Sequence, residues 1–124
     1  MRTPAQRTGD DAEAEVARHL DGLGWRVLGR RVRVGRAELD IVALDPGPPA
    51  ALVIVEVRWR SRRDFGLPEE TVGHRKRSLL HRAGFAVRDA GALPDRTPVP
   101  PLPLRFDLVV AEPGRPLRHH RHAL

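Results

Sequence analysis

At 124 residues the chain suits a single domain, and its 22 basic against 16 acidic residues leave a net charge of +6, which favours a polyanionic partner such as nucleic acid. The absence of cysteine excludes disulfides and thiolate metal sites and is compatible with a reducing cytosol. No apolar run approaches the length of a membrane span and the opening M-R-T-P-A-Q-R-T has no signal-type apolar segment, so a soluble, cytoplasmic protein with no membrane partner is expected.

In chain order, residues 1–7 read as a disordered tip. A helix is expected over 10–23, capped by Thr8 or Asp10, with Ala12, Val16, Leu20 and Leu23 as its buried stripe and Gly24 at its end. Glu13 lies beside that stripe, where it is either a first-turn acid favoured by the helix dipole or a carboxylate facing a cleft. Residues 25–34 alternate as a strand whose Arg26, Arg30, Arg31 and Arg33 form a phosphate-facing set or a solvated face. Gly35-Arg36 turns the chain into a second strand, 37–44. The D-P-G-P-P run at 45–49 breaks it, and a third strand covers 51–59. Short links between the three predict an antiparallel meander. Residues 60–68 form a basic loop containing Phe65 and Gly66, in which the aromatic either stacks on a base or anchors the loop. A second helix is expected over 69–90, with Val72, Leu79, Ala83, Ala86, Val87 and Ala90 facing the core. Lys76, the only lysine, falls on that face. Residues 91–103 are Pro-rich, a rigid connector or a polyproline ligand for a partner. The last strand covers 104–111, with Asp107 expected to pair with an arginine. Residues 113–124 are expected to be a flexible tail whose His119, His120 and His122 receive no role.

The chemistry concentrates in the second and third strands. Glu56 interrupts the apolar run 52–57, and an ionised carboxylate there needs a cation, a metal or a proton. Side chains alternate along a strand, so Glu38, Asp40 and Val42 are expected on one face, and Ile54, Glu56 and Arg58 on one face of the next strand. If those faces align, Asp40 and Glu56 converge with Arg58 nearby. Two such carboxylates suit Mg²⁺, which takes one or two carboxylates plus water and phosphate oxygens. Alternatively the acids simply pair with Arg36, Arg58 or Arg60, in a chain with 21 arginines.

Taken together, T-G-D-D-A-E at 8–13, A-E-L-D-I-V-A at 37–43, V-I-V-E-V-R-W-R at 53–60, F-G at 65–66, Lys76 and R-F-D-L-V-V at 105–110 carry a resemblance over nearly the whole chain. Their order and spacing resemble the PD-(D/E)XK nuclease superfamily, and more closely the YraN-like family of predicted endonucleases. The resemblance implies an α/β, restriction-endonuclease-like αβββαβ core, a mixed central sheet flanked by helices, in one nuclease-like domain over 1–124. It implies phosphodiester hydrolysis with Mg²⁺ or Mn²⁺. Asp40 and Glu56 would be the ligands, Glu13 would act directly or through water, the Val57 carbonyl would complete the shell, and Glu38 would be an outer acid. Arg58 stands where the superfamily usually has lysine. Arginine is a poor proton carrier, so Lys76 is expected to supply the missing ammonium from the second helix. Ala37 stands where the family usually has glycine. Nucleic acid is the implied partner, DNA over RNA, held by Arg31, Arg33, Arg36, Arg60, Arg62, Arg63 and Arg75. A homodimer is open, since related nucleases pair across two-fold axes.

Three functions follow from these residues. The first is a nuclease acting on DNA, including branched or single-stranded repair intermediates. The second is a catalytically silent nucleic-acid-binding module. The third is an interaction protein that recruits a partner through the Pro-rich segment.

Overall fold

A computed structural model describes the backbone of residues 4–59 and 73–124 and the side chains of 9–59 and 73–124. The elements follow in the order α1 (Pro4–Gly22), β1 (Arg26–Val34), β2 (Ala37–Asp45), β3 (Ala51–Trp59), α2 (His74–Ala90), β4 (Leu104–Ala111) and β5 (Arg118–His120). The strands hydrogen-bond in chain order, β1-β2-β3-β4-β5, as one sheet. β1 to β3 form the expected antiparallel meander, β3 pairs with β4 in parallel, and β5 returns antiparallel to β4. A parallel neighbour needs a crossover, and the segment that contains α2 supplies it. The result is a mixed α/β core flanked by two helices, consistent with a restriction-endonuclease-like architecture.

The sheet is covered on both faces, so β3 reads as a continuous apolar run. Val53 and Val55 point toward α1 with Val16, Leu20 and Trp25, while Leu52 and Ile54 point toward α2 with Leu80, Ala83 and Val87. Close helix packing depends on Gly84. A Cβ there would stand 2.9 Å from the Phe106 ring and 3.1 Å from Ile54 Cγ1. Lys76, Leu80 and Gly84 recur at four-residue spacing, one stripe of a helix. The close approach at Gly84 therefore also sets how near Lys76 comes to the sheet.

Several expectations change. α1 starts at Pro4, inside the segment expected to be disordered, and ends at Gly22. Leu23 consequently leaves the stripe and is exposed, while Ala12, Val16 and Leu20 are buried. α2 begins at His74 because Gly73 is extended, at φ −83° and ψ 168°; the expected first turn, with Val72, lies outside the described residues. Its buried face is Leu80, Ala83, Gly84 and Val87 rather than one centred on Leu79, with Ala86 and Ala90 exposed, because the side that lacks a side chain at Gly84 is the one that can approach the sheet. The Pro-rich segment is a connector pinned to the core: Leu93 and Val99 are buried, and Ala92 bridges Pro98. The tail is not loose at 118–120, where β5 extends the sheet.

β5 is held by a buried polar network. Arg105 donates from Nε and Nη2 to both oxygens of Asp107, at 2.9 and 3.0 Å, and from Nη1 to Asp45 at 2.8 Å. His119 Nε2 lies 2.9 Å from Asp107 Oδ2, and the His122 amide donates to Oδ1 at 3.1 Å. Burial opposes the charge on Asp107, but His119, Arg105 and the His122 amide outweigh it and hold the carboxyl below its ordinary range. Asp107 therefore finds its expected arginine, and His119 finds a structural partner that the sequence did not suggest.

Removing one side of a buried ion pair strands the other charge. Arg105→Met should therefore lower unfolding free energy by about 3–5 kcal/mol in urea titrations, and Arg105→Met/Asp107→Leu should recover part of that loss. Gly84→Ala should cost about 1–3 kcal/mol by overpacking, read in the same titration.

Candidate active site

β2 and β3 bring the two acids together by register. Ile41 pairs with Val55, so one step further along the antiparallel ladder Asp40 falls opposite Glu56. Asp40 Oδ2 accepts the Val57 amide at 2.8 Å. Glu56 is 2% exposed, and Lys76 Nζ reaches its Oε1 at 2.8 Å from α2. Arg58 Nε lies 3.9 Å from the same oxygen. Among the described residues, Glu56 Oε2 and Arg58 Nε are both buried without a hydrogen-bond partner. A buried polar atom left unpaired is costly, and here two of opposite polarity sit side by side.

The electrostatics follow from that crowding. Burial, and then the neighbouring Glu56 charge, push the Asp40 carboxyl up from its ordinary 3.8 to about 8, against the stabilising Val57 amide. Burial also raises Glu13, with Arg30 opposing and Glu38 and Glu56 adding to the shift. A divalent cation could take the place of the proton that the buried Asp40 carboxyl favours. Asp40 and Glu56 are the two carboxylates able to hold one, and the unpartnered Glu56 Oε2 is a hard oxygen of the right kind. Among the described residues no group of three or more His, Cys, Asp or Glu closes a metal cage. The donor set fits an ion that keeps water and substrate oxygens, such as Mg²⁺, rather than a fully protein-ligated one.

Asp40 and Lys76 open onto a cleft of ≈ 560 Å³ whose walls include Arg36, Glu38, Arg75 and Leu79. The structure thus assembles Asp40, Glu56, Val57, Arg58 and Lys76, with Arg36 and Arg75 at the rim. Other residues are disposed differently. Glu13 faces Arg31 Nε at 3.3 Å and Arg30 at 3.9 Å, near enough to sense the Glu56 charge but committed to arginine. Arg31, paired with Asp10 and Glu13, and Arg33, 3.3 Å from Glu38, each face a carboxylate from an exposed position. Arg60, Arg62, Arg63, Phe65 and Gly66 lie outside the described residues.

Strict alternation does not hold through β2. Leu39 and Val42 both pack toward α2, whereas Ile41 and Ala43 pack toward α1. Glu38 is exposed and faces Arg33, while lining the same cleft as Asp40. The slip coincides with Arg31, which faces Asp40 in the β1–β2 register and takes φ 50°. A non-glycine residue in that region costs roughly 1–2 kcal/mol. Nothing in the sequence signals it, because neither glycine nor asparagine marks the position.

A model of the Uncharacterised protein family UPF0102 matches residues 12–111, a span holding Glu13, Asp40, Glu56, Arg58 and Lys76. A UPF0102 protein of Symbiobacterium thermophilum is 36% identical over 111 residues, covering 89% of this chain and 86% of its own. One from Roseiflexus castenholzii is 39% identical over 108 residues, 87% of this chain and 81% of its own. One from Desulforamulus reducens is 43% identical over 80 residues, 64% of each chain.

The raised Asp40 carboxyl makes stability fall with pH. The folded state holds this proton more tightly than the unfolded chain. The contribution is complete below about 3.8, declines as pH rises and is gone above about 8. Asp40→Asn cannot ionise. In chelator it should match wild type near the acid end and exceed it in unfolding free energy by about 1–3 kcal/mol once the wild-type carboxyl has ionised. Urea titrations across pH check this; a gap that does not widen with pH contradicts the assignment.

Proposed function

This chain belongs to the UPF0102 family, whose YraN-like motifs it carries, and from that premise we propose that it is a metal-dependent nuclease hydrolysing phosphodiester bonds in nucleic acid, DNA over RNA. The observation that carries the reading is the buried Asp40–Glu56 pair, with the Lys76 ammonium 2.8 Å from Glu56, at the wall of an arginine-rimmed cleft. Buried like charges facing each other are a poor structural choice and a good cation site.

Asp40 and Glu56 would hold Mg²⁺ or Mn²⁺, with Glu13 contributing through water and Val57 positioning Asp40 by its amide. Bound there, the cation supplies Lewis acidity toward a phosphoryl oxygen and toward water. Arg58 stays charged and steadies negative charge developing on the phosphate. Lys76 differs from Arg58 in being able to release and regain a proton, and it stands at the carboxylate where the attacking water would be oriented. Arg36 and Arg75 hold flanking phosphates at the cleft rim. Asp40 must be ionised to hold the cation, so turnover should climb with pH toward about 8, and earlier at high metal concentration.

The Lys76 contact also carries a second reading. An acid already neutralised by an ammonium, beside an arginine in place of lysine, suits a nucleic-acid-binding module without turnover.

Labelled duplex, single strand, flap and four-way junction, incubated with Mg²⁺, Mn²⁺ or chelator, separate the two. Metal-dependent cutting is expected, reduced at least about 100-fold in Glu56→Gln. Lys76→Ala should reduce it about 10²–10⁴-fold and Lys76→Arg should fail to restore it. Salt-sensitive binding by wild type without cutting would establish the silent module instead.

A further inference from the structure

Beyond the acid site the cleft continues. A second concavity of ≈ 240 Å³ shares Arg36, Ala37 and Leu79 with it and runs between the β1–β2 turn and the flank of α2. Its floor is apolar, formed by Val34, Leu79, Ala83 and Ala86, and Arg36 and Arg82 stand at its edges. Arg75, Leu79, Arg82 and Ala86 recur at three- and four-residue steps, so they form one stripe along α2. Arg75 and Arg82 are separated by about 10 Å along the helix axis, which is roughly three stacked nucleotides of one strand at 3.4 Å each.

Several arginines of this chain are engaged by carboxylates, and among the described residues those of this concavity are not. Arg31, Arg33, Arg105, Arg115 and Arg118 each face a carboxylate. Among the described residues, Arg36, Arg75 and Arg82 have no such partner. An arginine committed to a carboxylate has little charge left for phosphate, whereas these three keep theirs. The apolar floor adds a second selectivity. A duplex keeps its base faces stacked inside and presents backbone and groove edges, so an apolar floor finds no base face to pack against. An unpaired strand can lay a sugar and base edge against them, with guanidinium planes stacking on the base.

We propose that this concavity is a subsite for an unpaired strand leading out of the acid site, with Leu79, Ala83 and Ala86 under one nucleotide and Arg36 and Arg82 on its phosphates. The inference deepens the nuclease reading and rests on it for the class of substrate: a single strand, or the single-stranded arm of a branched one. Arg36 is shared between the two concavities and marks the junction between the reacting phosphate and its neighbour.

The test is binding in chelator, where turnover is absent, of a labelled oligothymidylate and a labelled hairpin duplex. Arg82→Ala alters an exposed side chain that lines this concavity and not the acid cleft, and Ala86→Glu independently places a carboxylate on the floor. Thermal unfolding confirms that each variant is folded. Both variants should weaken oligothymidylate binding at least about tenfold and leave hairpin binding within about twofold. Arg82→Ala should reduce the slope of log affinity against log salt by about 0.7, one single-strand phosphate contact. Oligothymidylate binding within about twofold of wild type, or equal loss on the hairpin, overturns the subsite. The two proposals fail separately. Metal-dependent cutting that needs Glu56, with oligothymidylate binding unchanged in both variants, removes the subsite and keeps the nuclease. Binding lost in both variants, with no cutting by wild type, keeps the subsite and removes the nuclease.

Discussion

Two carboxylates facing each other across adjacent strands set the terms for the rest of this molecule. Asp40 and Glu56 are placed by the β2–β3 register, and Glu56 is almost wholly removed from water. Burial and the neighbouring Glu56 charge make ionising Asp40 costly, and the surroundings answer with a proton, an amide and a cation. The Val57 amide, the Lys76 ammonium and the raised Asp40 carboxyl are those answers. Lys76 can deliver its charge only if α2 sits close to the sheet, and Gly84 against Phe106 and Ile54 permits that approach. A helix-packing detail eight residues away thus governs the charge balance of the cleft.

The chain contains a second buried polar cluster, and the contrast is instructive. Around Asp107 both carboxylate oxygens are occupied, by Arg105, His119 and the His122 amide, and Arg105 is further engaged by Asp45. A fully connected network rigidifies, and this one fastens β5 and the end of β2 to β4. Around Glu56 one carboxylate oxygen and one guanidinium nitrogen have no partner. The same kinds of residues, buried to similar depth, are fully paired around Asp107 and incompletely paired around Glu56.

The strands were legible because β-branched and apolar runs bounded by Gly and Pro leave few alternatives. β3 and β4 fall where the pattern puts them, at 51–59 and 104–111. The convergence of Asp40 and Glu56 was legible too, since it needs only a two-residue period and a short antiparallel link. Less could be read where the local pattern carries no information about neighbours. Helical periodicity predicted Leu79 at the core, but the side lacking a side chain at Gly84 turned the helix toward Leu80. Residues 118–120 are too short and polar to read as a strand, and they become one through Asp107.

Read along the chain, composition, period and motif order were enough for the α/β order and for the facing of Asp40 and Glu56 across adjacent strands. Tertiary structure alone decided which charges are committed. Counting arginines cannot separate Arg31, held by Glu13, from Arg36, open to the cleft. It cannot show that Lys76 rather than an arginine reaches Glu56 most closely, or that Arg31 takes a positive φ opposite Asp40. Those outcomes depend on which side chains meet across elements distant in sequence. At a few ångströms, that meeting decides whether a charge is spent inside the protein or left for a ligand.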